Sequence, residues 1–474
     1  MILRRTLLAT PALLPAAALA QGLSPSALPP SALPPVAQDD STAPGWRRAT
    51  LIRWGDRVTF DAPPFDPARL DAEGAGTQFG WDARIAALVV PPPAADGVRR
   101  AVLAVAHPTV NPAVAFPGGV DQPEVASRMQ GASLLNLEQQ GGRWIIVDGG
   151  FQARRLTAAN LCSTSGPGAE ILGGAVRGLL APTGGAATPW GTLLLTEGDP
   201  SPWAGRLPDF GRGEAYGWVV ELDALDPQSI PVKQTALGRF PKADAAAAAS
   251  RDGRAVVFLA EQGAGGYLFR FVSEGPAAPG ALALGTLSAA RMQGGRLTWL
   301  ALPQAAYANP PEAARQAGAT AMDRPQGLDW DARGNRLLAC GDFGALSLTP
   351  DGGDPAADSM AVGRLGGQGM GRLGSVSADP RGRVLLGGLG EGVVGANAQP
   401  LWLTEGGRAN AIYGAPRAAD VGGAVASPDG GTIFAAVRRP GAEQGSSFNR
   451  PATRWPEFAA GQPPRSAIIA LTRG

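Results

Sequence analysis

One histidine, two cysteines and a few carboxylates after apolar runs limit the chemistry open to this chain. His107 is the only histidine, so a multi-histidine metal centre is excluded and one histidine-dependent role remains. Cys162 and Cys340 are the only cysteines, too few for a cysteine zinc cluster. They could pair in an oxidising compartment or stand as two buried thiols. Glu197 follows the apolar run Gly191 to Leu195 and is expected at a strand end, where binding sites gather side chains. A surface carboxylate would read the same way. The guanidinium forks of Arg154 and Arg155 suit phosphate, although a plain surface pair fits them too. Trp190 and Trp203 read as core or rim packing.

The elements that must hold these residues are short strands. Gly (67) and Pro (44) are abundant and charged residues make up 17%, a composition that favours many strands joined by turns. A small turn carrying Asp and Gly repeatedly leads into an apolar strand. Asp331 to Gly334 precedes Arg336-Leu-Leu-Ala-Cys340, and Asp379 to Gly382 precedes Arg383-Val-Leu-Leu386. Ser427 to Gly431 precedes Thr432-Ile-Phe-Ala-Ala-Val437, and Ser250 to Gly253 precedes Ala255-Val-Val-Phe258. The last three copies recur roughly every fifty residues, close to the period of a four-stranded propeller blade. Such blades bury their faces only against neighbours, so a closed ring is expected. A pair of β-sandwiches is the alternative. Ala243 to Ala249 and Pro311 to Gly318 read as short helices or loop turns.

The amino terminus carries an export pattern. Arg4 and Arg5 precede the apolar run Leu7 to Leu19, and Ala18-Leu19-Ala20 supplies small residues for cleavage before Gln21. The run is shorter than the roughly 20 residues that span a bilayer, and the paired arginines point to the twin-arginine route. We expect a signal peptide over 1–20, a Pro/Ala-rich linker over 21–48 and the folded domain over 49–474. The product would be periplasmic or secreted, and free of the membrane after processing. With a formal charge of +1 and no long basic run, nothing invites nucleic acid, and a monomer is expected.

Longer strings resemble one family, the PhoX-type alkaline phosphatases. Tyr216-Gly-Trp-Val-Val-Glu221, Asp226-Pro and Pro231-Val-Lys-Gln-Thr-Ala-Leu-Gly-Arg-Phe240 are similar to its "GYVVEIDP…PVKRTALGRF" block. Thr188-Pro-Trp-Gly-Thr192 resembles "TPWGT". Val105 to Asn111 with Phe116-Pro-Gly118 resembles "VNHEYTN…FPG", and Met322-Asp-Arg-Pro325 resembles "MDRPED". Arg154-Arg155 resembles the basic pair of "NRRIT". The resemblance implies an exported propeller of six blades. It also implies an iron and calcium cluster at one end of the ring that hydrolyses phosphate monoesters, the cations offsetting charge on the transferring phosphoryl group.

The ligand-bearing strings are where the match fails. Against "WLTCEEN" the chain reads Leu193-Leu-Leu-Thr-Glu-Gly-Asp199. Thr196 replaces the thiolate, a poor exchange on iron. Glu197 keeps one carboxylate and Gly198 replaces the other. Against "KHEGA", Lys242 replaces the histidine and Ala243 the glutamate. Glu261 keeps one carboxylate of "YxGDD". Gln326 and Gly327 stand for those of "RPED", and Pro108 follows the retained His107. By this resemblance His107 and Glu197 are the catalytic candidates, and Arg154 and Arg155 the substrate-binding pair. Glu197, Glu261 and Asp199 are the metal ligands, with Asp244 as a further stand-in. That set suits one calcium. Iron is expected from the family but not from these residues, because a multinuclear centre needs several converging carboxylates. The expected function is phosphate monoester hydrolysis that is reduced or lost, with a phosphorylated small molecule as substrate if any activity survives. The alternative is a non-catalytic binding or scaffold propeller, and a calcium-dependent lactonase-type propeller is a third possibility.

Overall fold

The computed structural model describes residue 28 and residues 30–207, 210–366 and 369–474. The expected signal peptide lies outside the described residues.

Six blades surround a channel. Their innermost strands are Arg84–Val89, Pro182–Ala187, Lys242–Ala249, Pro325–Asp331, Leu373–Ala378 and Asp420–Ala426. Each adjoins the next around the ring, and the sixth adjoins the first. Three further antiparallel strands extend each blade outward. In blade six the outermost is Trp46–Arg53, which comes from the start of the domain and pairs with Ala467–Arg473 at its end. This pairing closes the ring without a free joint. Blades three and four merge into one nine-stranded sheet, because the extra strand Arg296–Ala301 pairs with Ser359–Gly366.

Alternation within the strands builds the core. Val256, Phe258 and Ala260 face blade four, whereas Val257 and Leu259 face blade two, as a two-residue period requires. Because both faces of a blade are covered, such strands read as continuous apolar runs. One apolar cluster fills each of the six junctions between blades. The inner strands are rich in Ala and Gly because the wedge narrows toward the channel. This explains the alanine run Ala243 to Ala249, which is strand throughout. The segment beginning at Pro310 is a helix, Pro310–Gln316.

The repeated turn has a physical basis. Asp331 accepts from the Gly334 N–H at 2.8 Å and pairs with Arg336 at 2.8 Å. Asp379 accepts from the Arg381 and Arg383 N–H groups and pairs with Arg383. Each carboxylate shapes the turn and anchors the first residue of the next strand.

The structure adds three details to these expectations. The segment expected as a linker through 48 lies against the ring over its described part. The Ser31 N–H donates to the Ala409 carbonyl, Ser41–Thr42 pairs with blade five, and Asp40 accepts from the Tyr413 hydroxyl at 2.9 Å. Cys162 and Cys340 are both free and buried. They sit in different junctions, and burial pushes their thiols up to about 11 and about 12. Gly191, in the turn after the second inner strand, meets open space, so what constrains it is its positive φ of 88° and not close strand contact.

Candidate functional site

The inner strands all begin at one end of the channel, here called the entry end, and the second strand of each blade finishes there. The ligand-bearing strings of the family therefore all map to this end. Its geometry decides whether they can hold metal.

Glu197 ends the strand Leu193–Glu197 and is fully buried. Both of its oxygens accept from Lys233 Nζ, at 2.9 and 3.1 Å. The backbone N–H groups of Leu180, Gly217 and Trp218 also donate to it. Lys233 is equally buried and donates to the Ala215 carbonyl as well. A carboxylate accepting five hydrogen bonds from four donor groups, one of them a cation, is satisfied without metal.

Lys242, which the resemblance sets against the family's histidine, is fully buried. Its Nζ donates to the carbonyls of Gly217, Gly238 and Phe240 at 2.8, 2.8 and 3.1 Å, and lies 3.8 Å from the centre of the Phe240 ring. Burial pushes its ammonium well below the usual lysine range, with Glu197 and Glu261 acting against that shift. Thr196 lies 3.1 Å from the Thr183 hydroxyl, which donates to the Lys242 carbonyl.

The two glycines at former carboxylate positions have no space for a side chain. A Cβ on Gly198 would stand 2.6 Å from Thr183 and 2.8 Å from Gln262 Oε1. One on Gly327 would stand 2.9 Å from the backbone of Ser375 and Val376 and 3.0 Å from Cys340 Sγ. Neighbours have closed over both places.

His107 ends the second strand of blade one and is fully buried. Its Nδ1 faces the Asp82 carbonyl, which can only accept, so Nδ1 carries the proton. Its Nε2 then accepts from the Ser133 hydroxyl at 2.7 Å. Arg155 donates to the same Ser133 oxygen and to the Arg128 and Gln130 carbonyls. Burial, reinforced by Arg155, pushes the imidazole well below the usual histidine range, so it is neutral. Burial also brings Arg155 down to about 9. An apolar roof that includes Phe116, Met129, Trp203 and Tyr216 covers this end over blades one and two.

The remaining expected residues stand apart. Arg154 donates to the Pro227 and Ser229 carbonyls and ties blade one to a loop of blade two. Asp199 is exposed and accepts from the Ser201 N–H and hydroxyl. Glu261 is half-buried, accepts from the Tyr267 N–H, and is pushed up to about 7 by burial. The structure thus joins His107 to Arg155 through Ser133. It does not gather Glu197, Glu261 and Asp199 into the expected calcium set. Among the described residues no group of three or more His, Cys, Asp or Glu side chains is placed to hold a metal ion. The residues present therefore do not fit the iron and calcium cluster.

Sequence reasoning missed the ion pairs that fill this end. Arg438 forks onto Asp82 at 2.7 and 2.8 Å, and Thr109 donates to the same carboxylate. Burial alone would raise the Asp82 carboxyl, but Arg438 overrides it and holds that carboxyl well below the usual carboxylate range. Arg439 pairs with Asp420. Arg372 bridges Asp342 and Glu391, which Arg324 also reaches. Asp82 and Arg438 are 356 residues apart, and no local pattern links them.

This arrangement defines a class first: a six-bladed propeller with strand-end side chains packed at one mouth of its channel. The family follows from comparison. A family model described as Alkaline phosphatase PhoX matches residues 31–335, and the chain belongs to that family of metal-dependent phosphatases. The structure of Pseudomonas fluorescens PhoX in complex with vanadate, a transition state analogue, is 24% identical, with a TM-score of 0.83 over 94% of this chain and 98% of that one. This likeness fixes the fold. A candidate gluconolactonase is 9% identical over 93% of this chain and 97% of its own, but its TM-score of 0.39 carries no argument for a lactonase. A search of the curated proteins finds no match.

Proposed function

We propose that this chain is an exported PhoX-family propeller that has lost metal-dependent phosphate monoester hydrolysis and works as a periplasmic binding or scaffold protein. One observation carries the reading: at the end of the channel to which the ligand-bearing strings map, buried carboxylates are already paired with side-chain cations. Glu197 is neutralised by Lys233, Asp82 by Arg438 and Asp420 by Arg439. A carboxylate already forked by a buried guanidinium or ammonium would have to break that pair before binding calcium or iron, and breaking such a pair costs several kcal/mol. The residues that would touch a phosphate ester are also unavailable. His107 is neutral, roofed and bonded on both nitrogens, and Arg155 is buried with both Nη groups committed to carbonyls and Ser133. The amino-terminal pattern Arg4 to Ala20 supports the export part of the proposal.

The test uses the mature protein recovered from its native compartment. We expect no turnover of p-nitrophenyl phosphate with added calcium and iron, and no stoichiometric metal by elemental analysis. Turnover that a chelator abolishes, accompanied by bound metal, would overturn the proposal.

A further inference from the structure

The opposite, far end of the channel holds an unassigned cavity of ≈ 450 Å³, within the range of about 300–1,000 Å³ typical of small-molecule sites. Its walls are the later halves of the inner strands, and its rim is formed by the turns at Asp331 to Arg333 and Asp379–Pro380. It is blind. Arg84 of blade one reaches across the channel to the Gln326 carbonyl of blade four and lies 3.5 Å from Asp244 of blade three. Asp244 in turn accepts from the Gly185 and Leu328 N–H groups of blades two and four. This crossing forms a floor between the cavity and the entry end.

We propose that this blind cavity binds a small organic cation, an amine or guanidinium on a short apolar body, with Asp329 as its counter-charge. The pairing of charges gives the sign. Within the cavity Arg84 and Asp244 offset one another, Asp331 and Asp379 at the rim are taken by Arg336 and Arg383, and the rim cation Arg333 is exposed and donates to the Pro380 carbonyl at 3.2 Å. Asp329 faces the cavity with no cationic partner among the described residues. The Ala378 N–H donates to one of its oxygens at 2.7 Å. Burial, reinforced by the nearby Asp244 and Asp331 carboxylates, pushes it up to about 7, the mark of a carboxylate lacking a cation. Leu88, Val90, Trp330, Val376 and Val425 supply the apolar wall that an alkyl chain requires. The proposal deepens the binding reading above and rests on it, but it concerns the other end of the channel.

The test titrates cadaverine and agmatine against the full mature protein by calorimetry and thermal denaturation. 1-Pentanol, pentanoate and calcium chloride serve as comparisons. We expect the two cations to bind and raise Tm while the comparisons do not, and Asp329→Asn to weaken cadaverine at least tenfold. Asparagine keeps an acceptor for the Ala378 N–H, so this variant should fold. If it does not, the wild-type preference for cadaverine over pentanol and pentanoate decides. No binding, equal binding of pentanol, stabilisation by calcium alone, or unchanged affinity in Asp329→Asn would each overturn the proposal. Phosphatase turnover would overturn the reading of the entry end and leave this result standing, so the two failures are distinguishable.

Discussion

The two ends of one channel have met the same problem, buried charge in a narrow ring, in opposite ways. At the entry end Glu197, Asp82, Asp420, Asp342 and Glu391 are paired with side-chain cations, the glycines are closed over, and a cavity of ≈ 220 Å³ lies there. At the far end ≈ 450 Å³ stays open and Asp329 has no cation. The entry end also keeps non-glycine residues at positive φ, namely Ala181, Arg324, Glu391, Ala418 and Arg439. Conformations of this kind persist only where surroundings over-determine them, and they gather at functional sites. Here three of them, Glu391, Ala418 and Arg439, line the smaller cavity. The contrast teaches that carboxylates at a channel mouth can be satisfied by cations on side chains alone, and that the ring stays closed around them.

The strongest way to break this comparison is to unpair the entry end. Lys233→Met should cost about 3–5 kcal/mol, because it strands the buried Glu197 carboxylate, and urea denaturation would read it. A cost below 1 kcal/mol would mean that solvent or a metal ion already reaches Glu197. A steric probe comes next. Gly327→Ala pushes a methyl against the backbone of blade five and should cost about 1–3 kcal/mol, with Tm falling accordingly. At the far end Gly191→Val meets open space, so only its φ is strained and the cost should be about 1–2 kcal/mol. A larger loss there than at Gly327 would reverse the contrast.

The smallest expected effect is on pH dependence. Asp329 and Asp244 are pushed up to about 7 and about 6 by burial. Because their folded values lie above their unfolded ones, the folded state binds more protons. The resulting stability is complete below pH 4 and is lost as pH rises through 6 and 7. Asp82 has the opposite sign: held low by Arg438, it stabilises above pH 4 and loses that contribution in acid. Asp329→Asn should therefore flatten the decline in Tm between pH 4 and 7 while leaving the acid limb intact. An unchanged slope would show that Asp329 is solvated and not a distinctive feature of the far end.

How much was legible in sequence can be traced residue by residue. The turn Asp379 to Gly382 and its copies carried the blade period, because turn chemistry and strand alternation act within a few residues. The strings around Tyr216 and Phe240 marked the family, and the replacements at Thr196, Gly198, Lys242 and Gly327 were visible as departures. The alanine run of blade three could not be assigned from sequence, since its small residues answer to the taper of the ring and not to a local preference. His107 and Glu197 stood out in the sequence as catalytic candidates, whereas their buried partners Ser133 and Lys233 were not legible there.

By itself, the sequence determined which charges exist, where strands begin and which residues depart from the family's strings. Only the tertiary structure decided which cation answers which carboxylate, that Arg84 reaches across the channel, and that Asp329 is left without a cation among the described residues. The reason is physical. Turns and strands follow from contacts between near neighbours along the chain. Charge pairing in a closed ring depends on which distant strand ends the closure brings within about 3 Å of each other.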